Sequence, residues 1–181
     1  TTALTGEILK ARYEETFVVG NIGDPYTARV LDMTEESVTV AEVSSFQLET
    51  IMDFHPDVSA ILNITPDHLN RHGTMENYIR IKECITLNQT EQDAVVLNYD
   101  DPVLRGFGQD PELKPRVIWF SSREKLADGF CMNGDNIVHC QKGRETVLVN
   151  VHDMKLLGRH NYENVMAAAA IGLEMGVSMA D

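Results

Sequence analysis

The sequence has few of the features that would place a protein in a membrane or on a nucleic acid. Its 181 residues include 15 Lys and Arg against 28 Asp and Glu, a formal net charge of -13. This acidity argues against nucleic acid, or an anionic membrane surface, as the main partner. No apolar run approaches the roughly 20 residues that a membrane-spanning helix needs.

The chain also lacks an initiator Met and a signal peptide. It opens on T-T-A-L-T-G-E-I-L-K, a pattern typical of the inside of a helix. We therefore expect a segment of a longer protein, with enough residues for one domain and a sizeable core.

Cysteine is scarce, with only Cys84, Cys131 and Cys140 present. Cys131 and Cys140 flank the turn N-G-D-N, and strands paired across that turn do not place the two opposite each other. Free thiols in a reducing cytosol are the simplest interpretation. We expect a cytoplasmic, monomeric protein.

Apolar runs alternate with helical patterns along most of the chain. The run 58–64, V-S-A-I-L-N-I, is typical of a strand buried on both faces, as in a parallel sheet. Further strands are predicted at 16–19, 37–43, 94–97 and 117–120, and helices at 1–11, 26–32, 46–53 and 75–87. This order favours an α/β fold with a doubly wound, mostly parallel sheet. Turns of the N-G-D and K-G-R type predict a small antiparallel β-meander from strands at 129–132, 137–141 and 145–151.

A group of ionisable residues follows the strand at 58–64. Thr65-Pro66 ends the strand, and Asp67, His68, Arg71 and His72 come directly after it. Ligands of open α/β sheets bind at the carboxyl ends of the strands. The sequence leaves open whether this segment is a site or an ordinary polar loop.

The next helix carries a lysine on its apolar face. Thr74 is a good N-cap, and at 100° per residue Lys82 falls in the middle of the stripe formed by Tyr78, Ile81 and Ile85. Such a lysine either extends to solvent, finds a partner or loses its charge, because burying an unpaired ammonium is costly. With Asp67 and His68 shortly upstream, a functional site is the better interpretation.

Two further segments have both a functional and a structural interpretation. Glu42 ends a strand and is followed by two serines and Gln47. These residues could hold a metal and a polar ligand, or they could be a charged strand end with Ser44 as N-cap of the next helix, and the sequence favours neither interpretation. Asn21, in G-N-I-G, indicates either close approach of a ligand or a tight turn.

The last predicted helix begins with Asn161 as N-cap and runs to Gly176. Asn161 and Asn164 are three residues apart and share a helix face. Two carboxamides there could bind a purine edge, although one of them serving only as a cap is the commoner case.

Taken together, several segments resemble the central, ATP-binding domain of the Mur ligases. They are G-N-I-G at 20–23, E-V-S-S-F-Q-L-E at 42–49, I-L-N-I-T-P-D-H-L-N-R-H at 61–72, Y-I-R-I-K at 78–82 and G-R-H-N-Y-E-N at 158–164. The resemblance covers the whole chain in the right order and implies a P-loop ATPase-like fold. Within the family, S-S-F-Q-L-E is most similar to the members that add D-glutamate to UDP-N-acetylmuramoyl-L-alanine.

The resemblance implies a role for each candidate residue. Glu42 would hold the Mg²⁺ on the ATP phosphates, His68 would bind a second Mg²⁺, and Lys82 would be carbamylated near that second metal. The remaining expected roles are contacts to the muramoyl substrate by Asn21, Ser44 and Gln47, and contacts to adenine by Asn161 and Asn164.

The resemblance also implies segments that are not in this sequence. The family's phosphate loop, of the G-x-x-G-K-[ST] type, is expected just before Thr1, with an N-terminal domain for UDP and a C-terminal domain for D-glutamate. We expect residues 1–181 to be the central domain only, and to be inactive alone. The implied reaction passes through an acyl phosphate, which the amine of D-glutamate then attacks.

Other functions remain open from the sequence. Another Mur ligase or a folylpolyglutamate synthetase is the nearest alternative. In a different class, His68 and His72 at i and i+4, with Asp67 or Glu42, could bind Zn²⁺ in a hydrolase. A non-catalytic module that binds nucleotide is the third possibility.

Overall fold

The computed structural model describes residues 1–155 and 158–179. The strands in this part of the chain are β1 (Thr16–Gly20), β2 (Val38–Glu42), β3 (Val58–Ile61), β4 (Ala94–Asn98), β5 (Arg116–Ser121), β6 (Gly129–Asn133), β7 (Asn136–Gln141) and β8 (Arg144–Asn150). The α-helices are α1 (Thr2–Leu9), α2 (Tyr26–Arg29), α3 (Ser45–Leu48), α4 (Leu69–His72), α5 (Met75–Glu83), α6 (Pro102–Phe107) and α7 (Arg159–Glu174). Short 3-10 helices cover Val30–Asp32, Cys84–Thr86 and Val151–Asp153.

Six of the strands form one sheet, in the order β3-β4-β5-β6-β7-β8. The pairs from β3 to β6 are parallel, and β6, β7 and β8 form an antiparallel meander. All five residues of β4 are buried, as expected for a strand covered on both faces. The predicted α/β class, with a mostly parallel sheet and a small meander, is confirmed.

Helices cover both faces of this sheet, and the alternation of side chains along β4 shows how. Val96 belongs to the core formed with α7, where Met166 is fully buried. Val95 and Leu97 point the other way, into a core shared with Tyr78 of α5 and other residues. Because α5 lies against this face, its first turn is held next to the carboxyl end of β3.

The strands β1 and β2 form a separate, parallel, two-stranded sheet. Helix α1 packs against both strands and also against α7, so it joins the small sheet to the large one. This packing is close, since a Cβ on Gly172 would lie 2.5 Å from Cγ2 of Ile8. Within the described residues, β2 pairs only with β1, and β3 only with β4. The parallel strands are therefore divided between two sheets, a feature that the sequence pattern did not reveal.

Several predicted helix boundaries were wrong, two of them next to candidate site residues. The helix expected at 46–53 is a single turn, Ser45–Leu48, because Ser44 caps it one residue earlier and the chain leaves the helix after Leu48. Asn161 is not the N-cap of the last helix: Gly158 takes that position with a φ of 106°, and the helix begins at Arg159. Glycine readily adopts this positive φ, so the helix begins directly after Gly158 and Asn161 lies inside the first turn.

The three cysteines are free thiols. Cys131 pairs with Val138 and Cys140 with Gly129, so the two cysteines are diagonal neighbours and not directly opposite, as predicted. Their Sγ atoms nevertheless lie 3.7 Å apart. None of the described helices is long and apolar enough to cross a membrane.

Candidate active site

A cleft of about 970 Å³ lies between the facing edges of β2 and β3. Its walls include Val38 and Val40 of β2 and the four residues of β3. The site residues predicted from sequence that line this cleft are Asn21, Glu42, Ser44, His68, Lys82 and Asn164, together with Asp67, which directly precedes His68. Residues from five separate segments therefore meet in one place, at the carboxyl ends of parallel strands.

The end of the small sheet positions Asn21 and Glu42. Gly20 has a φ of 120°, and a Cβ there would lie 2.2 Å from the backbone oxygen of Glu42, so only glycine fits. The Asn21 N–H donates to that same oxygen at 2.7 Å. The Asn21 side chain donates to Oε1 of Glu42 at 3.4 Å. The glycine thus allows the backbone approach that brings an amide and a carboxylate together.

Ser44 and Gln47 form a capping box at the start of α3. Gln47 Oε1 accepts hydrogen bonds from the Ser44 N–H at 2.8 Å and from the Ser44 hydroxyl at 3.0 Å. The structural interpretation of Ser44 as an N-cap is therefore confirmed. Ser44 also lines the cleft whereas Gln47 does not, so a substrate contact by Gln47 stays a prediction without support from its position.

Asp67 and His68 end the loop between β3 and α4, and His68 is the N-cap of α4. His68 is a non-glycine residue in the left-handed region, with a φ of 51°. Oδ1 of Asp67 accepts from the His68 N–H at 2.8 Å, and Oδ2 of Asp67 lies 3.4 Å from Nε2 of His68. A residue held in this sparsely populated conformation beside a cleft is a feature found at functional sites.

Lys82 lies on the cleft side of α5. Its ammonium sits 5.4 Å from the centre of the Tyr78 ring, a cation–π distance. Burial lowers the pKa of Lys82 below its ordinary value, and the negative charge of Asp67 partly offsets that effect. The structure thus confirms the predicted placement of Lys82 on an apolar helix face. The lowered pKa favours the neutral amine more than in a free lysine.

Thr1 and Thr2 also contribute to the cleft, and sequence inspection missed both. The Thr1 hydroxyl donates a short hydrogen bond to Oδ1 of Asn164, and the Thr2 hydroxyl donates to Oε2 of Glu42 at 3.4 Å. These two threonines join α7 to the end of β2, although nothing in the local sequence signals it. Asn161 does not line the cleft, so its predicted adenine contact is not supported by its position.

The zinc alternative receives no support from the geometry. Within residues 1–155 and 158–179, no three His, Cys, Asp or Glu side chains come together to form a metal-binding group. The side chain of His72 is fully buried, and its Nε2 lies 3.0 Å from the hydroxyl of Ser45. His72 therefore does not share an open site with His68.

Comparison with known proteins identifies the fold and the family. A model of the Mur ligase middle domain matches residues 1–172. Similar structures include a UDP-N-acetylmuramoyl-L-alanyl-D-glutamate–2,6-diaminopimelate ligase, with a TM-score of 0.70 and 21% identity over 98% of this chain and 41% of that one. Another is the MurF ligase from Thermotoga maritima in complex with ADP, with a TM-score of 0.63 and 19% identity over 98% of this chain and 44% of that one.

Relatives at higher identity share one name, UDP-N-acetylmuramoylalanine–D-glutamate ligase. The protein from Lachnospira eligens is 55% identical over 98% of this chain, and that from Clostridioides difficile is 47% identical over 94%. The chain spans 39% and 37% of the lengths of these two relatives. Because the match to the family model covers residues 1–172, this chain belongs to the Mur ligase middle-domain family.

Proposed function

We propose that the chain is the central, nucleotide-binding part of a cytoplasmic enzyme of peptidoglycan precursor synthesis. The full-length enzyme joins D-glutamate to UDP-N-acetylmuramoyl-L-alanine in an ATP-dependent, ADP-forming reaction. The observation that carries the proposal is the cleft, where five segments with separate motifs converge on one opening. The shared name of the relatives supports this choice of substrates.

The reaction requires two anions to meet. An oxygen of the L-alanyl carboxylate attacks the γ-phosphorus of ATP, ADP leaves, and an acyl phosphate forms. The amine of D-glutamate then attacks the acyl carbon, inorganic phosphate leaves, and the nitrogen loses a proton. We assign Asn164 to the nucleotide side of the cleft, with Asn161 near it, and Asn21 and Ser44 to the muramoyl side.

The donors in the cleft suit Mg²⁺ that is only partly held by protein. Mg²⁺ takes one or two carboxylates and completes its shell with waters and phosphates, and the cleft offers the carboxylates of Glu42 and Asp67. Glu42 would hold one ion, and His68 with carbamylated Lys82 the other. When bound, Mg²⁺ neutralises charge on the transferring phosphoryl group.

Carbamylation of Lys82 would solve the electrostatic problem that its position creates. The reaction with CO₂ needs the neutral amine, and burial lowers the pKa of Lys82 in that direction. The product is an anion on the same apolar helix face, so it would need a cation beside it. We infer that modification and Mg²⁺ binding stabilise each other.

The other parts of the enzyme remain a matter of proposal. We infer a phosphate loop and further domains in the full-length protein, because the relatives are more than twice as long as this chain. The phosphate loop would provide the backbone N–H groups that cradle phosphates. Without them, residues 1–181 should not turn over ATP.

The proposal is tested with the full-length enzyme by following phosphate release and the mass of the product. Release should depend on UDP-N-acetylmuramoyl-L-alanine and on D-glutamate, and Glu42→Gln should lower kcat by about 100-fold or more. His139→Gln, on a strand away from the cleft, is the matched control and should retain activity. Ligation of a different amino acid in preference to D-glutamate would refute the assignment of the acceptor.

A further inference from the structure

Two histidines follow β3, and of these the proposed chemistry uses His68 but not His72. Its side chain has 0% exposure, although it lies only one helical turn after His68. A buried imidazole carries two polar nitrogens into the protein, and each needs a partner to offset the loss of water. The contacts of His72 therefore indicate why a histidine occupies this position.

The imidazole of His72 joins α4 to α3. Nε2 lies 3.0 Å from the hydroxyl of Ser45, which is itself 6% exposed and follows the capping residue Ser44. Nδ1 faces Oε1 of Glu49 at 3.3 Å, without the geometry of a hydrogen bond within the described residues. Glu49 is fixed in turn by Arg71, whose guanidinium lies 2.6 Å away.

The same residue also joins α4 to the helix of Lys82. The centre of the His72 ring lies 5.3 Å from the centre of the Tyr78 ring. The Lys82 ammonium also contacts the Tyr78 ring, so Tyr78 lies between His72 and Lys82. The backbone oxygen of His72 accepts from the side chain of Asn77 at 2.8 Å. Two independent contacts thus fix the start of α5 relative to α4.

Phe46 connects His72 back to His68. Its ring stacks on His72 at 5.5 Å with an interplanar angle of 29°, and it contacts the His68 ring at 4.8 Å. The Arg71 guanidinium lies 5.0 Å from the same ring. The strained His68 therefore rests on an aromatic ring that the buried histidine orients.

We propose that His72 is a positioning residue that sets the His68 imidazole, the turn at Ser44 and the Lys82 helix at fixed relative positions. The proposal rests on the proposed function, because it assigns His72 a role only through the metal-binding part of that site. A residue that only filled the core would need no nitrogen at this place, whereas His72 directs both nitrogens at side chains of α3 and its C-terminal end. Losing the Nε2 contact with Ser45, and the Nδ1 atom that faces Glu49, should loosen the loop before it unfolds the domain.

The test uses His72→Phe in the full-length enzyme, since phenylalanine keeps a ring between Phe46 and Tyr78 and removes both nitrogens. Mn²⁺ affinity in the presence of ADP, measured by electron paramagnetic resonance, should weaken by about tenfold. Hydrogen exchange of the amides at 66–73 should accelerate by a similar factor, while exchange in β4 stays unchanged. The KM for ATP should change less than about twofold, because the nucleotide side of the cleft is untouched.

Two comparison variants make the result decisive. His139→Phe removes another histidine that stacks on a phenylalanine, at 4.6 Å from Phe130 on the meander, and should alter neither readout. Ser45→Ala removes only the partner hydroxyl of His72 and should reproduce part of the effect. If His72→Phe does not fold, His72→Gln and Ser45→Ala are measured in its place.

His68→Ala separates failure of this inference from failure of the proposed function. If His68→Ala leaves Mn²⁺ affinity unchanged, the metal role of His68 is wrong, and the exchange of 66–73 alone then decides the role of His72. If His68→Ala weakens Mn²⁺ binding while His72→Phe and Ser45→Ala match the unmodified enzyme in both readouts, the positioning role of His72 is overturned.

Discussion

Replacing Gly20 by alanine tests the packing that brings Asn21 to Glu42. The new Cβ would meet the Glu42 backbone oxygen at 2.2 Å and the Glu42 nitrogen at 2.7 Å. Backbone atoms of a paired strand cannot move aside as a flexible side chain can, so β1 and β2 must separate at this end. The φ of 120° is also a conformation that alanine rarely adopts.

The two effects set the expected size. An alanine in a glycine-only region costs about 1–3 kcal/mol. Displacing the strand end adds about 1 kcal/mol, the contribution of a typical hydrogen bond such as that from the Asn21 N–H to Glu42. A total of about 2–4 kcal/mol corresponds to about 30- to 700-fold faster exchange of the amides in β1 and β2, if they exchange through local opening.

Hydrogen exchange of the full-length protein, followed by mass spectrometry, measures this directly, with β4 as an internal reference. Gly23→Ala is the matched control, because Gly23 has a φ of 79° but nothing within 4 Å of its added Cβ. It should show the backbone strain alone, about 1 kcal/mol. Equal acceleration in the two variants would show that the close approach of Gly20 to Glu42 has no energetic importance, and would refute the reasoning.

Other expected outcomes concern Lys82, the asparagine pair and the thiols. Because burial lowers the pKa of Lys82, the folded state binds fewer protons than the unfolded state just below the ordinary lysine pKa, so stability should rise with pH in that window. Lys82→Met should therefore raise the melting temperature at neutral pH while abolishing activity. Lys82→Ala should also be inactive, and a short carboxylic acid in the buffer should restore part of its activity. Full activity of either variant would contradict the carbamylation proposal. Replacing both Asn161 and Asn164 by Ala should raise the KM for ATP and spare that for the muramoyl substrate, with Asn164→Ala accounting for most of the change; equal effects on both substrates would indicate a folding role. Burial and the neighbouring thiol raise the pKa of Cys140 to about 11, so iodoacetamide should label Cys84 first. Mass spectrometry would follow the labelling, and faster labelling of Cys140 than of Cys84 would contradict the buried packing of Cys140.

Much of the fold could be predicted because the local signals agree with the tertiary structure. The apolar run at 94–97 became the fully buried β4, and Thr74 accepts a hydrogen bond from the Asn77 N–H as an N-cap should. The errors occurred where two local signals compete. Asn161 is a favourable N-cap residue, but Gly158 can take a positive φ that lets the helix begin earlier. The separation of β2 from β3 depends on hydrogen bonding between distant segments, which periodicity does not encode.

The candidate site was predictable to a different extent. Strand ends can be located from sequence, so Glu42 and the loop with Asp67 and His68 could each be placed at the carboxyl end of a strand. The burial of His72 could not be predicted, since a histidine four residues after another indicates a shared helix face but does not indicate which of the two side chains is buried. Thr1 was missed because its contact with Asn164 spans 163 residues.

The position of the cleft relates the divided sheet to the proposed metal ligands. β2 ends at Glu42 in the two-stranded sheet, whereas the loop with His68 follows β3 in the six-stranded sheet. Within the described residues no strand pairing joins β2 to β3, so the distance between Glu42 and His68 depends on how the two sheets are held against each other. Helix α1 packs against β1, β2 and α7, and the hydroxyl of Thr2 on that helix donates to Oε2 of Glu42. The packing of α1 on α7 therefore also positions Glu42 relative to the rest of the proposed site.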